Sequence, residues 1–276
     1  MARFSRRPFL SRLPDDLGGA SFSCDLGDTI AREVCFTGRY EPQETQIARR
    51  LLEPGMRVVD VGANWGYFTL VTAHLVGGAG HVLALEPDPG LFPLLSANVA
   101  RNALPHVTCL NVAAAEASGR ASFVAAPADQ GNSGLARFAA ARERSDFECP
   151  TAGLDELLAR HGMDRIDLVK IDVEGAEARV LRGMTGGLRE GRYRFVLLEC
   201  HPPALHAAGT SAAACIAALL AYGYRGWQID HSPAMHRRAA AAIVPPAEML
   251  GPLDPAPDSH GWPHFLWAAP EEAPLR

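Results

Sequence analysis

The stretch Val58-Val-Asp-Val-Gly-Ala-Asn-Trp-Gly-Tyr-Phe-Thr-Leu70 decides the fold of this chain. Its β-branched valines are typical of a strand buried in a parallel sheet, and Gly62 and Gly66 permit a tight turn and a close ligand approach. From Phe68 onward the apolar residues recur at helical spacing. The pattern therefore predicts a strand, a loop and a helix, with Asp60 near the carboxyl end of the strand.

A second strand follows this unit. The apolar run His81-Val-Leu-Ala-Leu85 leads into Glu86, twenty residues past Gly66. Dinucleotide-binding folds place at that position the carboxylate that holds a ribose hydroxyl. The two strands and the helix between them predict half of a doubly wound α/β sheet.

The glycine loop distinguishes between two kinds of ligand. Dinucleotide oxidoreductases use Gly-x-Gly-x-x-Gly to bring backbone N–H groups to a pyrophosphate, whereas this loop reads Gly62-Ala-Asn-Trp-Gly66 behind Asp60. A carboxylate at Asp60 would repel a pyrophosphate and attract a cation. A cofactor that carries a sulfonium, an α-ammonium and an adenosine suits Asp60 and Glu86, so we expect S-adenosylmethionine.

The composition limits the classes of partner. With 276 residues, of which 48% are hydrophobic, the chain can bury one substantial core. A formal net charge of -5 provides no broad positive field, so we expect no nucleic acid partner.

The six cysteines form no Cys-x-x-Cys pair, which suggests neither a zinc motif nor a disulfide framework. Without a leader-like segment or a run of about 18 apolar residues, we expect a cytoplasmic protein and no membrane partner. The oligomeric state stays open.

The pattern along the chain divides it into two parts. Residues 1–57 are predicted to form an arm and a helix, and residues 58–270 the main domain. Within the main domain, residues 121–151 contain short strand-like segments, at 122–124, 135–138 and 147–149, that predict an accessory ribbon. Residues 231–262 are rich in proline and alanine and are long for a connection, which favours a substrate loop over an ordinary surface loop.

Three further strands add polar side chains at the same edge of the sheet. Val107-Thr-Cys-Leu-Asn-Val112 places Asn111 and Val112 where an adenine edge could be contacted. Ile166-Asp-Leu-Val-Lys-Ile171 leads into Asp172, and Phe195-Val-Leu-Leu198 leads into Glu199, Cys200 and His201. Open α/β sheets bind ligands at the carboxyl ends of their strands, so these residues should share one crevice.

Four segments together resemble the FkbM family of S-adenosylmethionine-dependent methyltransferases. They are the glycine loop, Thr151-Ala-Gly-Leu-Asp-Glu-Leu-Leu158, Lys170-Ile-Asp-Val-Glu-Gly-Ala-Glu177 and Leu198-Glu-Cys-His-Pro202. The resemblance spans roughly residues 40–270, and the Lys170–Glu177 block is its most specific part. Asn64 is usual in this family, whereas Thr151-Ala-Gly-Leu is looser than its usual Thr-Leu-Asp.

This resemblance implies a fold and an activity. The fold is a Rossmann-like class I methyltransferase, with a seven-stranded, mostly parallel sheet, an antiparallel last strand and helices on both faces. The activity is O-methylation of a small-molecule acceptor such as a sugar, a polyketide or another natural product. N- or C-methylation on the same scaffold and a non-catalytic cofactor-binding module remain alternatives. The loop disfavours an NAD-dependent oxidoreductase.

The resemblance also implies roles for individual residues. Asp60, Gly62, Asn64 and Gly66 would bind the amino-acid end of the cofactor, and Glu86 would bind its ribose. The remaining expected cofactor contacts are Tyr40, Glu41, Ala63, Thr69, Pro87, Asn111, Val112, Ala113 and Asp172.

The sequence leaves three mechanisms open. Asp172 and Glu199 could share a divalent cation such as Mg²⁺ that lowers the pKa of the acceptor hydroxyl. Alternatively, a neutral His201 could act as the general base, with Asp172 orienting it or the substrate. In the third mechanism, proximity of acceptor and methyl group suffices. Lys170, an unusual residue within a parallel strand, could pair with Asp172 or Glu199.

Overall fold

The computed structural model describes residues 7–125, 136–140, 143–254, 256–259 and 261–272. The N-terminal part contains an antiparallel hairpin and two helices: β1 (Phe9–Arg12), β2 (Ser21–Cys24), α1 (Thr29–Thr37) and α2 (Pro42–Leu51). Sequence patterns predicted only an arm and a helix there, because the hairpin strands are four residues long. Leu17, Phe22 and Ile47 of this part are buried in one cluster with Val58 and Val71.

The main sheet starts with three strands joined by helices. Its first half runs β3 (Arg57–Val61), α3 (Tyr67–Val76), β4 (His81–Leu85), α4 (Phe92–Arg101) and β5 (Val107–Leu110). Strands β3, β4 and β5 pair parallel to one another, as the glycine-loop pattern predicted. Parallel pairing brings their carboxyl ends to one edge.

The second half adds elements on the other side of β3. They are α5 (Leu154–Arg160), β10 (Ile166–Ile171), α6 (Glu177–Arg182), α7 (Thr185–Arg189), β11 (Tyr193–Glu199), α8 (Pro202–Ala207), α9 (Ala212–Ala221), β12 (Arg225–Ile229), α10 (Pro233–Ala241), α11 (Pro246–Met249), β13 (Leu250–Gly251) and β14 (His264–Ala268). Among the described residues the strand order is β13-β12-β14-β11-β10-β3-β4-β5. The chain reverses its direction of travel across the sheet between β3 and β10, which makes their junction the topological switch point.

The sheet confirms the predicted fold class. Strand β14 runs antiparallel between β11 and β12, while β10 and β11 are parallel to β3. The two-residue β13 extends the predicted seven strands to eight within the described part of the chain. Helices between parallel strands cover both faces, and β3, β10 and β11 are accordingly buried along nearly their whole length.

The segment predicted as an accessory ribbon forms part of a second sheet. Strands β6 (Ala113–Ala114), β7 (Gly119–Val124), β8 (Arg137–Phe138) and β9 (Phe147–Ala152) pair in the order β6-β9-β7-β8. The strand predicted over residues 135–138 is shorter in the structure, and Leu135 lies outside the described residues.

The segment 231–262, predicted as a loop, contains helices α10 and α11. The Ser232 side chain accepts a hydrogen bond from the backbone N–H of Met235, and Pro233 occupies the first turn. Serine as N-cap followed by proline is a helix-start signal that the proline- and alanine-rich composition obscured. None of the helices in the described ranges is long and apolar enough to cross a membrane.

Candidate active site at the carboxyl edge of the sheet

The carboxyl ends of the central strands open into a cavity of about 380 Å³. Most of the residues that the sequence predicted for the site line this cavity: Tyr40, Glu41, Asp60, Gly62, Ala63, Asn64, Glu86, Pro87, Val112, Ala113, Lys170, Asp172, Glu199 and His201. Gly66, Thr69 and Asn111 are not among the lining residues. The sheet topology therefore brings together side chains that are up to 161 residues apart in the sequence, from Tyr40 to His201.

The glycine loop forms one wall of the cavity. Gly62 has a φ of +88°, and a Cβ atom there would lie 1.8 Å from the backbone carbonyl oxygen of Asp172. No side chain fits at that distance, so β3 and the turn after β10 can approach only with glycine at this position. Gly66, at the start of α3, has a different role, because a Cβ there would meet Leu95 of α4 at 2.8 Å.

Asp60 is buried beneath the loop. Its carboxylate accepts a 2.6 Å hydrogen bond from the Thr69 hydroxyl, and its backbone stands opposite Lys170 in the sheet register. Burial raises the pKa of Asp60, while Lys170 and the Thr69 hydrogen bond oppose that rise. Thr69 thus lies behind Asp60 and fixes its carboxylate instead of facing the cavity.

Glu86 forms the next part of the wall. Its carboxylate accepts hydrogen bonds from the backbone N–H groups of Asn64, at 2.7 Å, and Asp88, at 2.9 Å. Burial raises the pKa of Glu86 to about 8 against the effect of these two donors. The Asn111 side-chain amide donates to the backbone carbonyls of Glu86 and Pro87. The contact of Asn111 with an adenine edge stays a prediction; in the structure its amide nitrogen holds the turn that carries Glu86.

An apolar surface closes one end of the cavity. Val112, Ala113 and Ala114 line it together with Phe123 and Phe138 of the second sheet. The two phenylalanine rings lie 4.5 Å apart, centroid to centroid. Sequence reasoning found Val112 and Ala113 but missed both aromatic residues, because it treated their strands as an accessory. This surface can accept a flat, apolar group such as a purine base.

A charge cluster occupies the opposite end. The Lys170 ammonium lies 2.8 Å from a carboxylate oxygen of Asp172 and 3.1 Å from one of Glu41. Burial lowers the pKa of Lys170, but Asp172, Glu41 and neighbouring carboxylates raise it well above its usual value. Lys170 is therefore a buried cation that joins the start of α2 to the end of β10.

His201 stands among four carboxylates. Its Nδ1 is 2.8 Å from Glu177, and its Nε2 is 3.3 Å from Glu199, 3.4 Å from Glu174 and 4.0 Å from Asp172. Burial lowers the pKa of His201, but hydrogen bonds to Glu177 and Glu199 and the charge of Glu174 raise it to about 11. The imidazole is consequently protonated near neutral pH. The sequence-based expectation of a neutral general base at His201 does not suit these surroundings.

Glu174 faces the cavity from the turn after β10. Its φ of +49° is in the left-handed region, and Gly175 follows with a φ of +94°. Burial raises the pKa of Glu174 to about 7, with His201 opposing and Asp172 adding to the rise. Sequence reasoning gave this residue no role. The sequence could have pointed to Glu174 by its place in a glycine-containing turn directly after the strand-end carboxylate Asp172.

The structure does not favour a magnesium ion between Asp172 and Glu199. The two carboxylates do approach each other, with candidate ligand atoms of Asp172, Glu199 and His201 within 4.8 Å. However, Lys170 and the protonated His201 already contact them as cations. Burial raises the pKa of Glu199, yet His264, His201 and Lys170 lower it to about 2. A divalent ion would have to overcome the repulsion of these cations.

Several known proteins are similar to this chain in sequence. Residues 60–225 match the family described as the methyltransferase FkbM domain. The hexuronic acid methyltransferase AglP of Haloferax volcanii is 32% identical over 162 residues, which cover 57% of this chain and 62% of AglP. The 31-O-demethyl-FK506 methyltransferase FkbM of Streptomyces tacrolimicus is 30% identical over 178 residues, 54% of this chain and 67% of that protein. This chain spans less than two thirds of the length of the first curated relatives that it matches.

Among solved structures, Aeropyrum pernix fibrillarin in complex with natively bound S-adenosyl-L-methionine superposes with a TM-score of 0.43. The match covers 97% of this chain and 96% of fibrillarin at 13% sequence identity.

Proposed function

Because the chain belongs to the FkbM family of S-adenosylmethionine-dependent methyltransferases, we propose that it methylates a hydroxyl group of a small-molecule acceptor. The observation that carries the proposal is a cavity with two unlike ends. One end combines Gly62, Glu86 and an apolar surface, and the other contains the charge cluster around His201. A cofactor at the first end would present its reactive group toward the second.

The residues present fit S-adenosylmethionine. Gly62 leaves room where a Cβ would collide with the backbone, Glu86 offers a buried carboxylate to ribose hydroxyls, and Phe138 contributes to the apolar surface suited to adenine. Asp60 and Asn64 would serve the amino-acid end. When bound, the cofactor supplies a sulfonium methyl group that a nucleophile displaces in line.

We assign the proton transfer to Glu174. The acceptor hydroxyl loses its proton as its oxygen bonds to the methyl carbon, and a carboxylate with a pKa near 7 can take up that proton at neutral pH. His201, already protonated, donates hydrogen bonds to Glu177 and Glu199 and holds them in place. Lys170 holds Asp172 and Glu41 in place through ion pairs. An acceptor at this end of the cavity would therefore lie between ordered polar groups.

The charge of this end favours a hydroxyl over an amine acceptor. Five acidic side chains, Glu41, Asp172, Glu174, Glu177 and Glu199, lie around Lys170 and His201 at this end. Such surroundings stabilise an ammonium ion, which has no lone pair to attack a methyl group, whereas a hydroxyl remains neutral. The same carboxylates would repel a nucleic acid backbone, which supports a small-molecule acceptor. The names of AglP and FkbM point to the same class of acceptor for those proteins.

The proposal is tested in two steps. Calorimetry with S-adenosylmethionine, and with NAD as a control, measures cofactor choice; micromolar binding of the former alone is expected. A panel of uronic acids, glycosides and macrolide alcohols is then screened for release of S-adenosylhomocysteine, and products are identified by mass spectrometry and NMR. A methyl ether supports the proposal. Methylation confined to nitrogen or carbon, or preferential binding of NAD, would overturn it.

A further inference from the structure

Glu44, His231 and His264 meet beside the charge cluster, and none of them is used by the proposed chemistry. Glu44 comes from helix α2, His231 from the turn before α10, and His264 from the first residue of β14. We propose that these three side chains form a binding site for a divalent metal ion of the zinc class.

The ligand atoms converge on one point. The Glu44 oxygen Oε1 lies 2.6 Å from Nε2 of His231 and 2.9 Å from Nδ1 of His264. The two imidazole rings stack with centroids 3.7 Å apart and planes 13° from parallel, so their nitrogens face the same carboxylate. One candidate ligand atom from each residue lies within 4.8 Å of the others. Two imidazoles and one carboxylate suit zinc and its transition-metal neighbours better than Mg²⁺ or Ca²⁺.

A second observation points to a missing ligand. Glu44 is only 2% exposed, and its other carboxylate oxygen, Oε2, has no hydrogen-bond partner within the described residues. A buried carboxylate oxygen without a partner is costly, because it has lost water and gained nothing in exchange. A metal ion that both carboxylate oxygens of Glu44 ligate, together with the two histidines, would remove that cost.

The surroundings hold the ligands in the required orientation. The second ring nitrogen of His264, Nε2, lies 3.5 Å from a Glu199 carboxylate oxygen. A carboxylate behind a histidine orients the ring, and a metal ion at Nδ1 would take the place of the proton that His264 now shares with Glu44. The Gln43 side chain donates a 3.0 Å hydrogen bond to the backbone carbonyl of Asp230, which ties the residue before His231 to the helix that carries Glu44.

The position of the site also indicates its use. His231 and His264 both line the cavity, close to Glu199. Three protein ligands leave at least one coordination position of a zinc-class ion for water or an acceptor oxygen. The bound ion would therefore stand at the acceptor end of the cavity. Sequence spacing gives no sign of this site, because Glu44 and His231 are 187 residues apart.

Metal binding can be measured without any methyl acceptor. The untagged full chain is freed of metal with a chelator and dialysed against Zn²⁺ at pH 7.5, and bound metal is counted by inductively coupled plasma mass spectrometry. We expect one ion per chain, and at least about tenfold weaker binding in His231→Ala. His236→Ala is the matched control, because His236 belongs to the same segment but lies near Glu33 instead of Glu44. It should bind like the wild type.

Two further measurements keep the test independent of folding and of the proposed function. Zn²⁺ should raise the Tm of the wild type but not that of Glu44→Gln, a variant of unchanged shape. Calorimetry with S-adenosylmethionine should give similar affinities in His231→Ala and the wild type, so a failed metal site remains distinguishable from a failed cofactor site. Substoichiometric zinc in the wild type, or equal zinc affinity in the wild type and His231→Ala, would overturn the proposal.

Discussion

Lys170 and Asp172 form a 2.8 Å ion pair at the carboxyl end of β10, and Lys170 is only 6% exposed. The same ammonium contacts Glu41 at 3.1 Å, so one cation joins the start of helix α2 to the central sheet. A lysine inside a parallel strand requires such partners, because an unpaired buried charge is costly. Because Lys170 lies on β10 next to β3, the charge cluster is centred at the topological switch point of the sheet.

Lys170→Met should destabilise the protein strongly. The substitution keeps the length of the side chain but leaves Asp172 and Glu41 without their cation, which costs about 3–5 kcal/mol when a buried pair is broken. Urea denaturation at pH 7.5 measures the loss. Arg120→Met is the control: its partner Glu148 and Arg120 itself are more than 60% exposed, so a change of at most about 1 kcal/mol is expected. Equal effects of the two substitutions would contradict the assigned role of Lys170.

Gly62→Ala should weaken cofactor binding. The new Cβ would overlap the Asp172 carbonyl oxygen, so either the loop or the turn after β10 has to move. Calorimetry should show at least about tenfold weaker binding of S-adenosylmethionine, equivalent to about 1.4 kcal/mol. Gly55→Ala also has an unfavourable positive φ but no atom within 4 Å of the added carbon, and it should retain the affinity. Unchanged affinity in Gly62→Ala would show that this wall does not contact the cofactor.

The charge on His201 predicts a particular pH dependence of stability. Its pKa is about 11 in the folded chain and near 6.5 when unfolded, so the folded state binds the extra proton between these values. The stabilisation is fully present below pH 6.5 and is lost as the pH rises toward 11. Between pH 7 and 9, His201 should contribute a fall of up to about 1.4 kcal/mol per pH unit.

This contribution is measured by comparing free energies of unfolding of the wild type and His201→Asn at pH 7, 8 and 9. The gap between the two proteins should shrink as the pH rises. His236→Asn, which removes a more exposed histidine, serves as the control. A constant gap for His201→Asn would mean that His201 is neutral throughout, and it would restore the general-base hypothesis.

Local patterns predicted the parts of the site that belong to single strand ends. Gly62, Glu86, Asp172 and Glu199 each follow an apolar strand, and parallel pairing is enough to bring such residues to one edge. The charge of His201 could not be predicted this way, because it depends on carboxylates from separate elements. Phe138 and His231 enter the cavity through the second sheet and the turn before α10, whose packing no local spacing encodes.

Glu174→Gln should separate proton transfer from binding. The amide keeps the size of the side chain and can still donate or accept a hydrogen bond, but it cannot take up the acceptor proton. With an acceptor found by the S-adenosylhomocysteine screen, kcat should fall about 10²- to 10⁴-fold, while the calorimetric affinity for S-adenosylmethionine stays near that of the wild type. The wild-type kcat should rise with pH through about 7, because the carboxylate must be ionised to accept a proton, and Glu174→Gln should lack this rise.

Glu177→Gln is the informative comparison, since Glu177 is fully buried behind His201. A loss of activity in Glu177→Gln that keeps the pH rise would mark a positioning role, whereas an unchanged kcat in Glu174→Gln would exclude Glu174 as the base.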